Sequence, residues 1–238
     1  VCDYGEILRP ETLATARLGG INLHGSLLPK YRGAAPVQWA ILRGETETGI
    51  TVIHMTPGLD AGPILAQQRT PIDPAEDAEQ LESRLALMGG GLVLEVINAL
   101  EQGTIQPVPQ DPSQVSKAPR IRKEQGAIDW SRSALEIVNQ VRALRPWPRA
   151  YTFWYRKDSE PLRLNIDRVA LAQSPIPAGE QPAAGEAGTV LQASERLLVA
   201  SGDGVVEILQ LQPAGKRSMS AADFLHGYRV KLGERFGS

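Results

Sequence analysis

Four prolines, Pro107, Pro109, Pro112 and Pro119, fall within residues 104–119 among mostly polar neighbours. Proline offers no N–H to a ladder and fixes its own φ, so this stretch reads as an extended connector rather than a helix interior or central strand. A chain of 238 residues is thereby divided in two. Charge follows the same division: residues 1–105 carry 7 Lys+Arg against 13 Asp+Glu, net −6, whereas 106–238 carry 18 against 14, net +4. The second part is the one suited to a polyanion. With 42% hydrophobic and 22% charged residues, a soluble globular chain with enough apolar material for a core is expected.

Texture differs on the two sides of the connector. Before it, a strand is predicted over 21–24, a helix opening at Gly33, Ala34 and Ala35 and running to Arg43, and a strand over 48–55. Two helices follow over 78–87 and 91–102, with Gly89, Gly90 and Gly91 as a break and Gly103 as a stop. After it, a helix over 131–144 capped by Ser131 precedes five short strand-like runs at 150–155, 162–172, 188–192, 197–200 and 205–212. Five such strands fit a small barrel. A short helix over 220–227 closes the pattern, and residues 174–188, rich in Pro, Ala and Gly, read as a loop.

Ile21, Asn22, Leu23 and His24 read as the end of a strand, where positions i and i+2 project to one side. Asn22 and His24 therefore face one pocket. Gly25 releases the chain into a turn, and Pro29 stiffens its exit. The tight loop over 57–62 lets Asp60 reach back to His24. Acyl transfer to an amine passes through a tetrahedral intermediate whose oxygen becomes negative, so fixed donors aimed at that oxygen are needed. Asn22 and His24 are the expected donors. Asp60 is expected to hold the imidazole in one tautomer, to stabilise its charged form, and to relay a proton from the amine through water.

The segments His24-Gly-Ser-Leu-Leu-Pro29, Arg32-Gly-Ala-Ala-Pro36, Glu47-Thr-Gly49, Gly58-Leu-Asp60-x-Gly62, Arg145-Pro-Trp-Pro148 and Leu211-Gln-Pro-Ala-Gly-Lys216 resemble the methionyl-tRNA formyltransferase family, within the enzymes that use 10-formyltetrahydrofolate. The likeness spans nearly the whole chain. It implies an α/β fold: a partial Rossmann-like formyltransferase domain over 1–105, a linker over 106–122, and a small OB-like β-barrel that binds tRNA over 123–238. It implies catalytic roles for Asn22, His24 and Asp60, and a folate pocket of Tyr4, Gly5, Ile7, Leu8, Ser26, Leu27, Leu28, Pro29, Gly58 and Leu59. The implied reaction moves a formyl group from 10-formyltetrahydrofolate to the α-amine of initiator methionyl-tRNA. The family's opening strands and a basic tRNA-contacting loop are expected to precede the point at which Val1 begins, and Asp3 and Glu6 stand where the family writes Ala and Gln.

Lys117, Arg120, Arg122 and Lys123, with Lys216 and Arg217, are the expected phosphate contacts, and their contribution should fall with salt. Trp147 is expected to pack in the core, and Arg32 to meet a negative substrate group or to pair with Glu45 or Glu47. His54 and His226 accompany His24 without a cysteine cluster, so no metal site is expected. Cys2 alone permits no internal disulfide, which points to a reducing cytoplasm. Gly89–Gly91 lacks the lysine and Ser/Thr of a phosphate loop. The longest apolar stretch, around 89–100, is shorter than the roughly 20 residues of a bilayer span. A monomer with no membrane partner is expected. Three rivals stand beside this reading: a sugar-nucleotide N-formyltransferase, a hydrolase of formyl-folate, and a non-catalytic tRNA-binding remnant.

Overall fold

β-Branched residues at Thr48, Ile50, Thr51, Val52 and Ile53 make one run the natural centre of a sheet, and in the computed structural model it is the middle strand of the first unit. The structure describes residues 1–2, 8–156, 159–172 and 186–237. Tyr4, Gly5 and Ile7 of the expected folate pocket lie outside the described residues, as do Asp3, Glu6 and most of the loop read over 174–188. The chain divides into Val1–Ile121 and Arg122–Ser238.

The first unit runs α1 (Pro10–Leu13), β1 (Ile21–His24), α2 (Pro36–Leu42), β2 (Glu47–His54), β3 (Ile64–Pro71) and α3 (Ala78–Gln102). Its sheet has the order β1-β2-β3 and is antiparallel, with Asn22 opposite Ile53 and His24 opposite Thr51. On the outer edge of β1, Cys2 forms a parallel bridge with Leu23, whose N–H donates to the Val1 carbonyl at 3.0 Å. β3 escapes a periodicity reading because Gln67, Gln68 and Arg69 face solvent in succession. Part of the predicted connector packs on this unit: Val108 bridges Ile64, and Lys117 bridges Arg32.

Where two helices were predicted, α3 is a single helix of 25 residues. An Asp77–Gln80 capping box starts it, and Gly103 in the left-handed conformation ends it. The three glycines are passed through because one of them is needed for packing. Gly89 is buried against Leu23, and a β-carbon there would collide with the Leu23 side chain. Leu81, Leu85, Leu92 and Val96 are buried on the same helix, which packs on β2, β3 and α2. Its continuity also makes α3 long and apolar enough, by length and composition alone, to cross a bilayer, which the two shorter helices were not.

Gly90 and Gly91 are exposed and meet nothing within 4 Å. Gly90→Ala is therefore expected to raise unfolding free energy by about 1 kcal/mol through helix propensity. Gly89→Ala gains the same propensity but loses roughly 1–3 kcal/mol to overpacking against Leu23. Paired denaturant titrations should separate the two variants by at least about 1 kcal/mol, with Gly89→Ala the less stable.

The second unit runs α4 (Ala134–Ala143), β4 (Ala150–Tyr155), β5 (Leu162–Leu171), β6 (Val190–Ala193), β7 (Leu197–Ser201), β8 (Gly204–Pro213), β9 (Met219–Ser220), α5 (Ala221–Gly227) and β10 (Arg235–Gly237). All pairings are antiparallel in the order β10-β4-β5-β8-β7-β6, and a Thr189–Arg235 bridge next to β6 nearly closes the ring. This is a small OB-like barrel. Ile137 and Val141 of α4, Trp154 of β4 and Phe224 of α5 share its core with Leu164, Leu197, Val206 and Leu211. The α4 cap is Ser133 rather than Ser131: Ser133 and Glu136 satisfy each other's backbone N–H groups, while Ser131 is drawn into a turn with Asp129.

Candidate active site

Alternation along β1 sends Leu23 toward Gly89 and leaves Asn22 and His24 on the opposite face. His24 is buried to 6% exposure, Asn22 half-buried. The His24 Nε2–H donates to the Tyr31 carbonyl at 2.8 Å, since a carbonyl can only accept. Nδ1 is then the free edge of the ring. It lies 3.7 Å from Asp60 Oδ2, close enough for an ion pair with a protonated ring. The geometry has a chemical consequence. With Nε2 committed, His24 can donate toward a substrate only as the doubly protonated imidazolium, for which Asp60 is the adjacent counter-charge. No side-chain hydrogen bond is made by the Asn22 amide among the described residues, so its N–H groups are available.

Asp60 is held at an unusual backbone conformation, φ 47°, and Tyr31, whose carbonyl orients His24, at φ 65°. For a bulky residue such as tyrosine this region costs of order 1–3 kcal/mol and persists only where the surroundings over-determine it. Several contacts do so. The Tyr31 N–H donates to Ser116 Oγ at 2.9 Å, and the Tyr31 hydroxyl to Glu45 at 2.7 Å, where Lys30 also donates at 3.0 Å. Burial, and then the bond to Glu45, push the Tyr31 phenol well above its ordinary pKa. Burial alone would raise Glu45, but hydrogen bonds from Tyr31 and Lys30 outweigh it and hold the carboxyl below its usual value. Asp60 Oδ2 in turn accepts from the Gly33 N–H at 2.8 Å, tying its loop to the chain that follows Tyr31.

Arg32 pairs with neither Glu45 nor Glu47. Glu47 is taken by Arg69, and Arg32 donates twice to Gln110 Oε1, at 2.7 and 3.1 Å. The same Gln110 donates from Nε2 to the carbonyls of Asp60, at 2.7 Å, and Gly62, at 2.8 Å. One amide from the connector thus clamps both sides of the Asp60 loop. Gly62 itself is buried so close to the His54 carbonyl that a β-carbon would collide with it. Local pattern gave no sign of Gln110, because its partners lie 48 to 78 residues away. Gln110→Ala is expected to leave the carbonyls of half-buried Asp60 and buried Gly62 unpaired, costing about 1–3 kcal/mol. A lower melting temperature together with a drop in turnover of about tenfold, at little change in substrate affinity, is the expected reading of melting curves and initial rates.

Among residues expected to line the folate pocket, Ser26 and Leu28 are buried and serve the turn itself. Ser26 Oγ donates to the Lys30 carbonyl at 2.7 Å, and the Leu28 N–H to Thr51 Oγ1 at 3.1 Å. Thr51 donates onward to the Ser26 carbonyl at 2.6 Å, and Gln67 to the Leu28 carbonyl at 2.8 Å. Leu8, Leu27 and Pro29 are half-buried; Gly58 is exposed, and Leu59 beside Asp60 leaves 57% of its surface open. Lys117 and Arg120 in the first unit, and Arg122, Lys123, Lys216 and Arg217 in the second, are exposed and free of ion pairs among the described residues. The loop carrying Lys216 is pinned by Gln212, which donates to the Lys216 carbonyl at 2.6 Å, and by Ser218, which donates to Asp167 at 2.5 Å. No group of His, Cys, Asp and Glu suited to a metal occurs among the described residues.

Residues 1–97 match the sequence model of the formyl transferase family and residues 120–229 that of its C-terminal domain. The chain belongs to the formyl transferase family. Within it, the chain is 48% identical to the methionyl-tRNA formyltransferase of Rhodopirellula baltica, over 99% of its own length and 70% of the relative's. It is 43% identical to that of Solibacter usitatus, over 100% and 72%. Among solved structures it resembles WlaRD, a sugar 3N-formyl transferase, with a TM-score of 0.68 at 23% identity over 91% of this chain and 72% of that one. HypX from Aquifex aeolicus gives 0.60 at 21% identity, covering 90% of this chain and 36% of that one. Those two likenesses speak to the fold.

Proposed function

We propose that this protein transfers the formyl group of 10-formyltetrahydrofolate to the α-amine of initiator methionyl-tRNA. What supports the reading is a likeness to methionyl-tRNA formyltransferases that runs through both units at up to 48% identity. The amine nitrogen attacks the formyl carbon, and the carbonyl electrons move onto oxygen. Asn22 and the imidazolium of His24 donate to that oxygen. Asp60 takes the proton lost by the nitrogen, through water. Collapse breaks the carbon–N10 bond of the folate, and the proton passes to N10. An α-amine has an unperturbed pKa of about 7.7–8.0, so much of it is uncharged and nucleophilic at cellular pH without a strong base. Oxyanion stabilisation is the larger task.

The folate binds against the 26–29 turn and the exposed Gly58–Leu59 edge. Lys117, Arg120, Arg122, Lys123, Lys216 and Arg217 neutralise tRNA phosphates. Both substrates belong to the cytoplasm, where the protein acts as a monomer without a membrane partner. The test is to incubate the chain with formyl-labelled 10-formyltetrahydrofolate and charged initiator tRNA. Label on the methionine supports the reading. Formate release that ignores added tRNA, or label on an amino-sugar nucleotide in preference to tRNA, overturns it.

A further inference from the structure

Trp147 contradicts its expected place in the core: 49% of its surface is open, although an indole is among the side chains that gain most from burial. It stands at a cleft of about 350 Å³ in the second unit, lined also by Lys123, Glu124, Pro148, Tyr151 and Arg163. The cleft is built from ordered pieces. Tyr151 and Phe153 project from the same face of β4 with their rings edge to face at 6.0 Å. The Arg163 guanidinium, on neighbouring β5, lies 4.0 Å from the Tyr151 ring centre and has no ion-pair partner among the described residues. Lys123 and Glu124 come from a short turn, Lys123–Gly126, which is fixed on β4 by the Ile128 N–H donating to the Tyr151 carbonyl at 2.8 Å.

From this arrangement we infer that the cleft is a stacking site for one unpaired nucleotide of RNA, an inference that rests on a tRNA being the substrate. A nucleobase is flat and needs a π-face, which the open Trp147 indole and the Arg163–Tyr151 stack both present. A backbone phosphate needs a cation, and Lys123 and Arg163 form no ion pair among the described residues. Glu124 repels phosphate, so its place is on the base edge, where a carboxylate accepts from an exocyclic amine. The preferred base is cytosine over uracil. A basic surface without this aromatic wall would bind duplex and single strand alike; the cleft adds a requirement for a free base.

Fluorescence anisotropy with the full chain decides the matter, using labelled single-stranded oligo(C) and oligo(U) octamers and uncharged initiator tRNA. Trp147→Ala is expected to weaken oligo(C) binding by about tenfold or more with an unchanged salt slope, while Trp147→Phe stays within about threefold. Glu124→Gln should narrow the preference for oligo(C) over oligo(U). Both substituted side chains are exposed, so folding is not at stake. If Trp147→Ala binds the octamers and tRNA as the parent does, or the parent binds neither octamer, the site is wrong. Loss of octamer binding in Trp147→Ala by a chain that cannot formylate methionyl-tRNA would keep the site and sink the proposed function. Unaltered formylation and tRNA affinity in Trp147→Ala would do the reverse.

Discussion

His24→Ala is expected to slow formyl transfer by about a hundredfold to a thousandfold, the loss that follows removal of one donor from a developing oxyanion. The drop should appear in kcat, with KM for methionyl-tRNA little changed, because the lost bond is made chiefly in the transition state. Part of any effect will be structural, since the Tyr31 carbonyl that accepts from Nε2 loses its partner in a buried place. Asn22→Ala separates the two contributions. Its amide has no hydrogen-bond partner among the described residues, so its removal should leave thermal unfolding nearly unchanged while lowering kcat by a similar factor. Initial rates with labelled formyl donor, read beside melting curves, measure both. Turnover of Asn22→Ala and His24→Ala within a few-fold of the parent would remove the oxyanion role from this strand end.

The strand end that carries these residues was legible because two short-range rules coincide there. Alternation puts Asn22 and His24 on one side, and Gly25 stops the strand immediately afterwards. Barrel strands β4 to β8 were legible for a similar reason, as β-branched and aromatic runs between turn residues, whereas β9 and β10, of two and three residues, are too short to carry such a pattern. What could not be read locally is whatever a distant residue decides. Three glycines in a row argue for a break until Leu23, from another element, is seen to occupy the space a β-carbon would take at Gly89. Arg32 has acidic residues near it in sequence, yet its partner is Gln110, 78 residues on. Tyr31 gives no local signal of its role, which is carried by a backbone carbonyl in a left-handed conformation and leaves no trace in side-chain pattern. Trp147 reads as a core residue by type and is exposed by position.

Asp60→Asn is expected to reduce kcat by about a hundredfold to ten-thousandfold, the range for loss of a positioned general base, while the protein melts within a few degrees of the parent. Asparagine is the informative substitution for two reasons. It tolerates the left-handed backbone that Asp60 adopts at φ 47°, where a β-branched residue would add strain. Its side-chain oxygen can also still accept from the Gly33 N–H, which Asp60 Oδ2 meets at 2.8 Å, so the loop keeps its tie to the Tyr31 segment. The clamp from Gln110 reaches only main-chain carbonyls and is untouched. What is removed is the negative charge 3.7 Å from His24 Nδ1 and with it the acceptor for the amine's proton. Because Nε2 is already committed to the Tyr31 carbonyl, Nδ1 is the ring position left to face the substrate, and the carboxylate beside it bears on both roles, so the two losses fall on one variant. Combining Asp60→Asn with His24→Ala should therefore cost little more than the worse single change, as expected of groups that act together. Multiplying effects in that double variant would mean that the carboxylate and the imidazole work independently, and that the short distance between them has no part in the chemistry.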